Sequence, residues 1–166
     1  MLEASVLQRI ADGRKVSIER EVFPAMVADQ ALFALDGNTY WIDTGTPLKY
    51  LEAQLDLLRG VRGERVDGVH PEAVVAADAS VADSVLGARA EVGAGAHVRA
   101  SVLLPGARVG AGAVVERAIL GADAAVGAGA RVEDLAVLGD RATVADGLRV
   151  SGGSVGVEEH LAVEPA

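Results

Sequence analysis

Asp43 is the acidic residue whose surroundings best suit a chemical role. It follows the apolar run Tyr40-Trp-Ile42 and precedes Thr44-Gly45, so we expect a carboxylate at the end of a strand, just before a glycine turn. A carboxylate in that place can be presented to a cleft, where it would bind a ligand or take part in catalysis. The ordinary interpretation of a lone aspartate at the start of a loop is that it serves the turn alone.

The three histidines are the other candidates for chemistry. Histidine can act as the general base of acyl transfer or, where several converge, as a zinc ligand. His70 lies at the expected start of a repeat, His97 falls at a corner within it, and His160 lies near the end of the chain. Because His97 falls at a corner, we interpret it as a solvated surface residue. A hexapeptide-type acyltransferase and a zinc enzyme stay open as alternatives.

The elements that would position Asp43 lie in the first sixty residues. Helices are predicted over 2–10, from Ser17 to about Pro24, and from Pro47 to about Leu58 with Thr46 as its N-cap. Two strands are predicted at 31–35 and 39–42, joined by a turn at 36–38. A lone chain would leave their sheet edge unpaired, so we expect residues 1–60 to depend on a partner for order.

Composition divides the chain into two parts. All five aromatic residues and both lysines lie within the first fifty residues, whereas 17 of the 20 glycines lie after position 50. One homogeneous domain would not sort its residues in this way. We therefore predict a domain at 1–60, a boundary in the polar segment 60–69, a second domain at 69–156 and a tail at 157–166.

Large aliphatic residues recur at a fixed spacing in the second part. Successive members of each series are 17 residues apart, and the last step is 18; the series are Val75, Val92, Val109, Val126, Val144; Val81, Val98, Val115, Val132, Val150; and Leu86, Leu103, Leu120, Leu138. Within one period the gaps are six, five and six residues. Three short sides therefore close one coil, and about five coils follow one another. This pattern predicts a mainly β fold, a three-sided parallel β-helix whose narrow interior accepts Val, Leu and Ala but no rings.

The units of the repeat resemble those of the hexapeptide-repeat family, in the pattern aliphatic-Gly-x-x-Ala-x. Examples are Val92-Gly-Ala-Gly-Ala-His97 and Val126-Gly-Ala-Gly-Ala-Arg131. The resemblance implies a left-handed β-helix, which is an exception to the right-handed rule for parallel crossovers. The Gly-x-Gly triplets recur with the same period, so we interpret them as coil corners and not as phosphate-binding loops.

Two phrases of the first part resemble the closing motifs of the sugar-1-phosphate nucleotidyltransferases, most closely the mannose-1-phosphate guanylyltransferase type. They are Val16-Ser-Ile-Glu-Arg-Glu-Val-Phe-Pro24 and Tyr40-Trp-Ile-Asp-Thr-Gly-Thr-Pro47. In that family a β-helix follows the catalytic domain, in the order found here. The resemblance implies that residues 1–60 are a small α/β remnant of a catalytic domain. It also implies that Asp43 takes the place of a Mg²⁺-binding aspartate. Glu19 could approach the sugar site, but a first-turn helix acid is explained by the helix dipole alone.

The family's N-terminal signature does not occur in this sequence. There is no Gly-Gly-x-Gly-Thr-Arg-Leu loop to hold a triphosphate and no strand with the second metal-binding aspartate. We therefore expect the C-terminal portion of an enzyme that acts on a nucleoside triphosphate and a sugar 1-phosphate, and expect this portion to be inactive alone. Its partner would be a complementing N-terminal half or further copies of the chain. A non-catalytic oligomerisation or regulatory β-helix subunit is the main alternative.

Charge and hydropathy exclude several classes of protein. The chain has 15 basic and 24 acidic residues, a net charge of −9, and no basic cluster, which disfavours nucleic acid as a partner. The absence of cysteine excludes disulfides and thiolate metal sites. No apolar run approaches the length of about 18–20 residues that spans a membrane. We therefore expect a cytoplasmic protein that does not enter the membrane.

Overall fold

The computed structural model describes residues 2–37 and 39–162. The chain forms two compact units, residues 1–39 and residues 40–166. The predicted boundary lay further along, at 60–69. The difference arises because the helix over 47–59 packs on the β-helix, as described below, and so belongs with the second unit.

The first unit is helical. A 3₁₀ helix, Ala4–Arg9, is followed by a π-helical turn, Ile18–Val22, that runs into helix α1, Phe23–Ala28. Ser17 caps this segment as predicted, since its Oγ accepts the Arg20 N–H at 3.3 Å, and Glu21 Oε1 accepts the Ser17 N–H at 3.2 Å in return. Val6, Val22 and Met26 form its small core.

The prediction of strands at 31–35 and 39–42 was wrong. Residues 31–37 and 39–45 carry no regular secondary structure, and Asn38 of the predicted turn lies outside the described residues. A strand forms only where a neighbour takes up its backbone hydrogen bonds, and two strands alone are marginal in water. The apolar character of these residues therefore does not suffice to make a sheet.

Within its described residues, the second unit consists of helix α2, Pro47–Arg59, and sixteen short strands. The strands are β1 Val74–Val75, β2 Ser80–Ala82, β3 Val85–Leu86, β4 Glu91–Val92, β5 His97–Arg99, β6 Val102–Leu103, β7 Arg108–Val109, β8 Val114–Glu116, β9 Ile119–Leu120, β10 Ala125–Val126, β11 Arg131–Glu133, β12 Val137–Leu138, β13 Thr143–Val144, β14 Arg149–Ser151, β15 Ser154–Val155 and β16 His160–Leu161. The last strand extends the repeat beyond the predicted end at 156.

The strands form three parallel sheets, which confirms the β-helix. The first sheet has the order β1-β4-β7-β10-β13-β16, the second β2-β5-β8-β11-β14 and the third β3-β6-β9-β12-β15. Residues 17 apart are direct partners, as in Val75↔Val92, and the step becomes 18 at Val126↔Val144. The period in the sequence is therefore the register of the sheets.

The interior of the β-helix is built from the predicted aliphatic series. Leu86, Leu103, Leu120 and Leu138 are all at most 1% exposed, and alanines at the small positions, such as Ala96 and Ala113, are fully buried. Stacked Val, Leu and Ala side chains form one continuous core. Burying a Leu or Val side chain contributes roughly 1.5–3 kcal/mol, so these series supply the main favourable term of this unit.

The Gly-x-Gly triplets lie at the coil corners, as predicted. Gly95, Gly112 and Gly129 have φ of +64°, +65° and +65°, a conformation that side chains disfavour. The first glycine of the triplet is needed for another reason. A Cβ added at Gly110 would lie 2.6 Å from the backbone nitrogen of Ala128 on the next coil.

Helix α2 covers the third sheet. Leu51 and Leu55 pack against Val102 and Ile119, whose side chains point outward from that sheet. Leu135, which stands in the segment where the repeat lengthens by one residue, lies at the edge of the same cluster. The one-residue insertion therefore lies at a place where the β-helix contacts helix α2.

Candidate functional site

Asp43 lies in the loop that leads into α2. Its Oδ1 accepts the Gly45 N–H at 3.0 Å, which is the side-chain-to-backbone bond of an Asx turn. Thr46 then caps α2, since its Oγ1 accepts the Lys49 N–H at 3.3 Å, and Pro47 takes the first helical position. The predicted helix start is confirmed, and Asp43 is held three residues before its cap.

Gly45 lies close to the Asp43 carboxylate. A Cβ at this position would lie 3.2 Å from Asp43 Oδ1, which is tighter than ordinary contact. Gly45 thus permits the turn that Asp43 closes.

A shallow cavity opens beside this loop. It is lined by Trp41, Ile42, Asp43, Gly45, Thr46 and Lys49. Trp41 is 81% exposed, so one wall of the cavity is an indole face open to solvent. Lys49 Nζ lies 2.7 Å from Glu52 Oε2, so its ammonium group is already paired within the helix.

The donor atoms here fit one corner of a Mg²⁺ site. Among the described residues no hydrogen bond engages Asp43 Oδ2, which leaves a carboxylate oxygen available. The described ranges hold no group of three or more His, Cys, Asp or Glu that could enclose a metal ion. Mg²⁺ is commonly bound by one or two carboxylates together with substrate phosphates, so a single aspartate is a fitting ligand but not a complete site.

A second polar contact fixes the start of this segment to α2. Tyr40 donates its O–H to Asp56 Oδ2 at 2.5 Å, and the Arg62 guanidinium lies 5.1 Å from the centre of the Tyr40 ring. The hydrogen bond to the Asp56 carboxylate raises the pKa of Tyr40, because ionisation would place a phenolate against a carboxylate. This contact could not be predicted from the sequence, because sixteen residues separate the partners.

The acidic residues of the other phrase lie in the first unit. Glu21 Oε2 is 2.8 Å from Arg14 Nη2, and this contact, helped by the Ser17 N–H, lowers the pKa of Glu21. Glu19 lies exposed in the first turn of its helix. Its position is therefore accounted for by the helix start alone.

The three histidines lie on different parts of the fold. His70 precedes β1 and its Nδ1 accepts the Glu72 N–H at 3.2 Å. His97 is exposed but is the first residue of β5 in the second sheet, and so does not lie at the corner where we predicted it. His160 lies in the first sheet, with Nδ1 2.7 Å from Thr143 Oγ1. His97 and His160 thus lie on different faces of the β-helix.

Ion pairs connect neighbouring coils of the second sheet. Arg99 pairs with Glu116 as predicted. The predicted pair of Arg117 with Asp134 is not formed in the described part of the chain, where Asp134 accepts the Ser151 O–H at 2.6 Å instead. Glu133, only 7% exposed, is held between Arg131 and Arg149.

Within residues 2–37 and 39–162, no helix has both the length and the apolarity that a membrane crossing needs.

Comparison with known proteins places this β-helix in a family. Residues 66–164 match the family described as the GMPPB C-terminal domain. The chain belongs to this family. The matched residues include every strand of the β-helix, so membership in the GMPPB C-terminal domain family rests on the repeat itself.

Curated relatives extend the match to named enzymes. A mannose-1-phosphate guanylyltransferase of Mycobacterium tuberculosis is 38% identical over an alignment of 104 positions that covers 55% of this chain and 28% of that protein. A mannose-1-phosphate guanyltransferase of Schizosaccharomyces pombe is 40% identical over 86 residues, 52% of this chain and 22% of that protein. The matched part of the chain thus spans about a quarter of the length of these relatives.

A solved structure shares the fold. The GDP-perosamine N-acetyl transferase of Caulobacter crescentus superposes with a TM-score of 0.61 at 23% identity, over 70% of this chain and 58% of that one. At this identity the likeness concerns the fold and not the activity. Together with the family match it confirms the predicted class, a left-handed β-helix with hexapeptide-type repeats that forms the C-terminal part of a nucleotidyltransferase-type protein.

Proposed function

We propose that this chain is the C-terminal portion of a nucleotide-sugar pyrophosphorylase that uses GTP and mannose 1-phosphate. In that reaction a phosphate oxygen of the sugar 1-phosphate attacks the α-phosphorus of GTP. The bond to the β-phosphate breaks, and the products are GDP-mannose and pyrophosphate. The observation that carries the proposal is the family membership together with the 38% identity to a mannose-1-phosphate guanylyltransferase.

The loop before α2 supports the proposal from the chemical side. Asp43 is oriented by Gly45 and leaves Oδ2 available, and in the whole enzyme it would hold Mg²⁺ together with ligands from outside this chain. Bound Mg²⁺ would neutralise the charge that develops on the phosphate oxygens. Within the chain itself, the fixed α2 cap and the Tyr40–Asp56 bond hold the backbone on both sides of that carboxylate.

Exposed apolar side chains support a complementing partner. Phe33, Leu35 and Trp41 are 86%, 97% and 81% exposed and lie in segments without regular structure. Burying an aromatic or leucine side chain is worth roughly 1.5–3 kcal/mol, so a polypeptide that covers either of these segments would be bound favourably. The partner that fits best is the remainder of a nucleotidyltransferase catalytic domain, whose sheet would also pair the backbone of these segments.

A polypeptide of these 166 residues should not turn over GTP and mannose 1-phosphate by itself. The sequence contains no glycine-rich loop to hold the triphosphate, and the described residues offer a single suitable carboxylate. The test is a graft, in which these residues replace the matching C-terminal segment of the M. tuberculosis relative. We expect pyrophosphate release by the graft and none by the 166-residue polypeptide.

The role of Asp43 is tested within the same graft. Asp43→Asn should lower kcat by about a hundredfold and raise the Mg²⁺ concentration needed for activity, because one ligand is lost. Asp78→Asn, an equal change at an exposed turn of the β-helix, is the matched control and should leave both unchanged. Activity of Asp43→Asn equal to that of the parent graft would remove the metal role.

A non-catalytic subunit is the second candidate. It is favoured by the lack, among the described residues, of any cluster able to enclose a metal ion. In that case the graft would fold but stay inactive, and the chain would act by assembling with a separate active enzyme. The graft assay therefore distinguishes the two candidates.

A further inference from the structure

The loop that carries Asp43 is connected to the rest of the second unit by a side chain at its N-terminal end. This loop, residues 40–45, has no regular secondary structure, and within residues 2–37 and 39–162 no backbone hydrogen bond joins it to another segment. The bond between Asp43 and Gly45 lies inside the loop itself. The hydrogen bond that Tyr40 donates to Asp56 Oδ2, at 2.5 Å, is therefore the one that holds the loop to helix α2.

The acceptor of this bond lies on a well-packed part of helix α2. Asp56 follows Leu55, which is 8% exposed and packs against Val102 and Ile119 of the third sheet. A helix that is buried in this way keeps its place relative to the β-helix. The hydroxyl of Tyr40 therefore connects the loop to a rigid part of the fold.

The bond between Tyr40 and Asp56 is charge-assisted and partly shielded from water. Both residues are partly buried, and the acceptor is a carboxylate, which makes hydrogen bonds about twice as strong as neutral acceptors do. The Arg62 guanidinium lies 5.1 Å from the centre of the Tyr40 ring and so restrains the ring independently of the hydroxyl. Removal of the hydroxyl alone would thus release the loop and leave the contact of the ring in place.

We propose that Tyr40 is a positioning residue, whose hydroxyl keeps the Asp43 carboxylate in place before a divalent cation binds to it. This inference rests on the proposed function, since it gives Tyr40 a part in the Mg²⁺ site of the whole enzyme. A carboxylate on a loop that is already ordered loses less conformational freedom when it binds a metal ion. Tyr40 does not contact the ion, and it acts through the short loop that leads from its own backbone to Asp43.

The first test measures the Mg²⁺ dependence of the graft into the M. tuberculosis relative. Tyr40→Phe keeps the aromatic ring and should raise the Mg²⁺ concentration at half-maximal rate by about tenfold, the effect of losing one hydrogen bond to a charged group. Saturating Mg²⁺ should restore kcat, because the bound ion then orders the loop. Asp56→Asn still offers an oxygen to the hydroxyl and should stay close to the parent graft. Tyr50→Phe removes a phenol hydroxyl elsewhere on α2 and is the matched control, with no change expected.

The second test needs neither catalysis nor metal. In the 166-residue chain, NMR relaxation should give the backbone amides of Asp43 and Gly45 order parameters of about 0.85 in wild type and below about 0.6 in Tyr40→Phe and in Asp56→Ala. The amides of Leu55 and Val102 should not change in either variant, which shows that α2 and the third sheet remain folded.

The two tests distinguish the failure of this inference from the failure of the proposed function. A parent graft without activity contradicts the proposed nucleotidyl transfer, and the order parameters then decide the role of Tyr40. The positioning role is overturned by order parameters that are equal in wild type and both variants. It is also overturned by an active graft in which Tyr40→Phe leaves the Mg²⁺ requirement unchanged or lowers kcat equally at every Mg²⁺ concentration.

Discussion

Asp146 Oδ1 accepts the backbone N–H of Ala128 at 2.8 Å, so a side chain of one coil closes a turn of the coil before it. Asp140 does the same for Ala122, also at 2.8 Å. In both cases the acceptor lies 18 residues after the donor, in the region where the repeat has lengthened by one residue. Two turn amides that have no ladder partner are thereby satisfied.

Asp146→Ala should lower the free energy of unfolding by about 1 kcal/mol, because the Ala128 N–H loses its acceptor at a site that water can still reach. Asp146→Asn keeps an oxygen in the same place and is the matched control. The two variants are compared by urea denaturation. Equal losses in both would mean that the charge, and not the hydrogen bond, matters.

Ser101→Ala should cost more, about 1–3 kcal/mol, although it removes a single oxygen. Ser101 is fully buried, its Oγ donates to Arg99 O at 2.8 Å, and it accepts the Ala118 N–H at 3.1 Å. The expected loss comes from the buried Ala118 N–H, which is left without an acceptor, whereas Arg99 O still accepts the Arg117 N–H at 3.0 Å. Thermal unfolding checks it, with Ser80→Ala on the exposed surface of β2 as the control. A loss no larger than that of Ser80→Ala would contradict the assignment.

Leu120→Ala should destabilise the second unit by about 2–5 kcal/mol. Leu120 is fully buried at the centre of its series, between Leu103 and Leu138, so truncation leaves a cavity that the stacked coils cannot collapse. Leu35→Ala makes the same change at a residue that is 97% exposed, and it should have no measurable effect on unfolding. Denaturant midpoints distinguish the two. A Leu120→Ala midpoint equal to wild type would show that these coils repack freely.

The absorbance of Tyr40 at alkaline pH should report its contact with Asp56. The pKa of Tyr40 is raised because the phenol donates to the Asp56 carboxylate, so Asp56→Ala should move the pKa back down toward its ordinary value. Any stabilisation linked to this shift is present below the ordinary tyrosine pKa and is lost as pH rises through the raised one. Titration in a Tyr50→Phe background isolates the signal. An unchanged Tyr40 titration in Asp56→Ala would exclude the contact.

The β-helix was predictable because aliphatic residues recur at a fixed spacing, mostly of 17 residues, along the sequence. Each coil repeats the same inward positions, so Val92, Val109 and Val126 identify a sheet without knowledge of any other part of the chain. The cap at Thr46 was predictable for a similar reason, since the bond it makes reaches three residues along the chain.

The contacts that sequence reasoning missed all join distant residues. Helix α2 was placed outside the repeat domain, although Val102 and Ile119 were outward positions occupied by apolar residues and so signalled a cover. Residues 31–35 and 39–42 are apolar and aromatic types that are common in strands, but a strand depends on a partner that local sequence cannot supply. At the candidate site the Asp43 turn could be predicted, whereas the Tyr40–Asp56 bond could not.

The position of helix α2 on the third sheet affects how such a chain can vary in length. The helix is anchored on side chains of β6 and β9, and the later coils continue the same three sheets with steps of 17 or 18 residues. Stability in such an array is close to a sum over nearest neighbours. Whole coils of about seventeen residues can therefore be gained or lost toward the C-terminal end without disturbing the helix or the Asp43 loop before it. Duplication and deletion of one coil are thus the changes this architecture tolerates most readily, whereas the addition of a single residue needs an accommodation of the kind seen around Leu135.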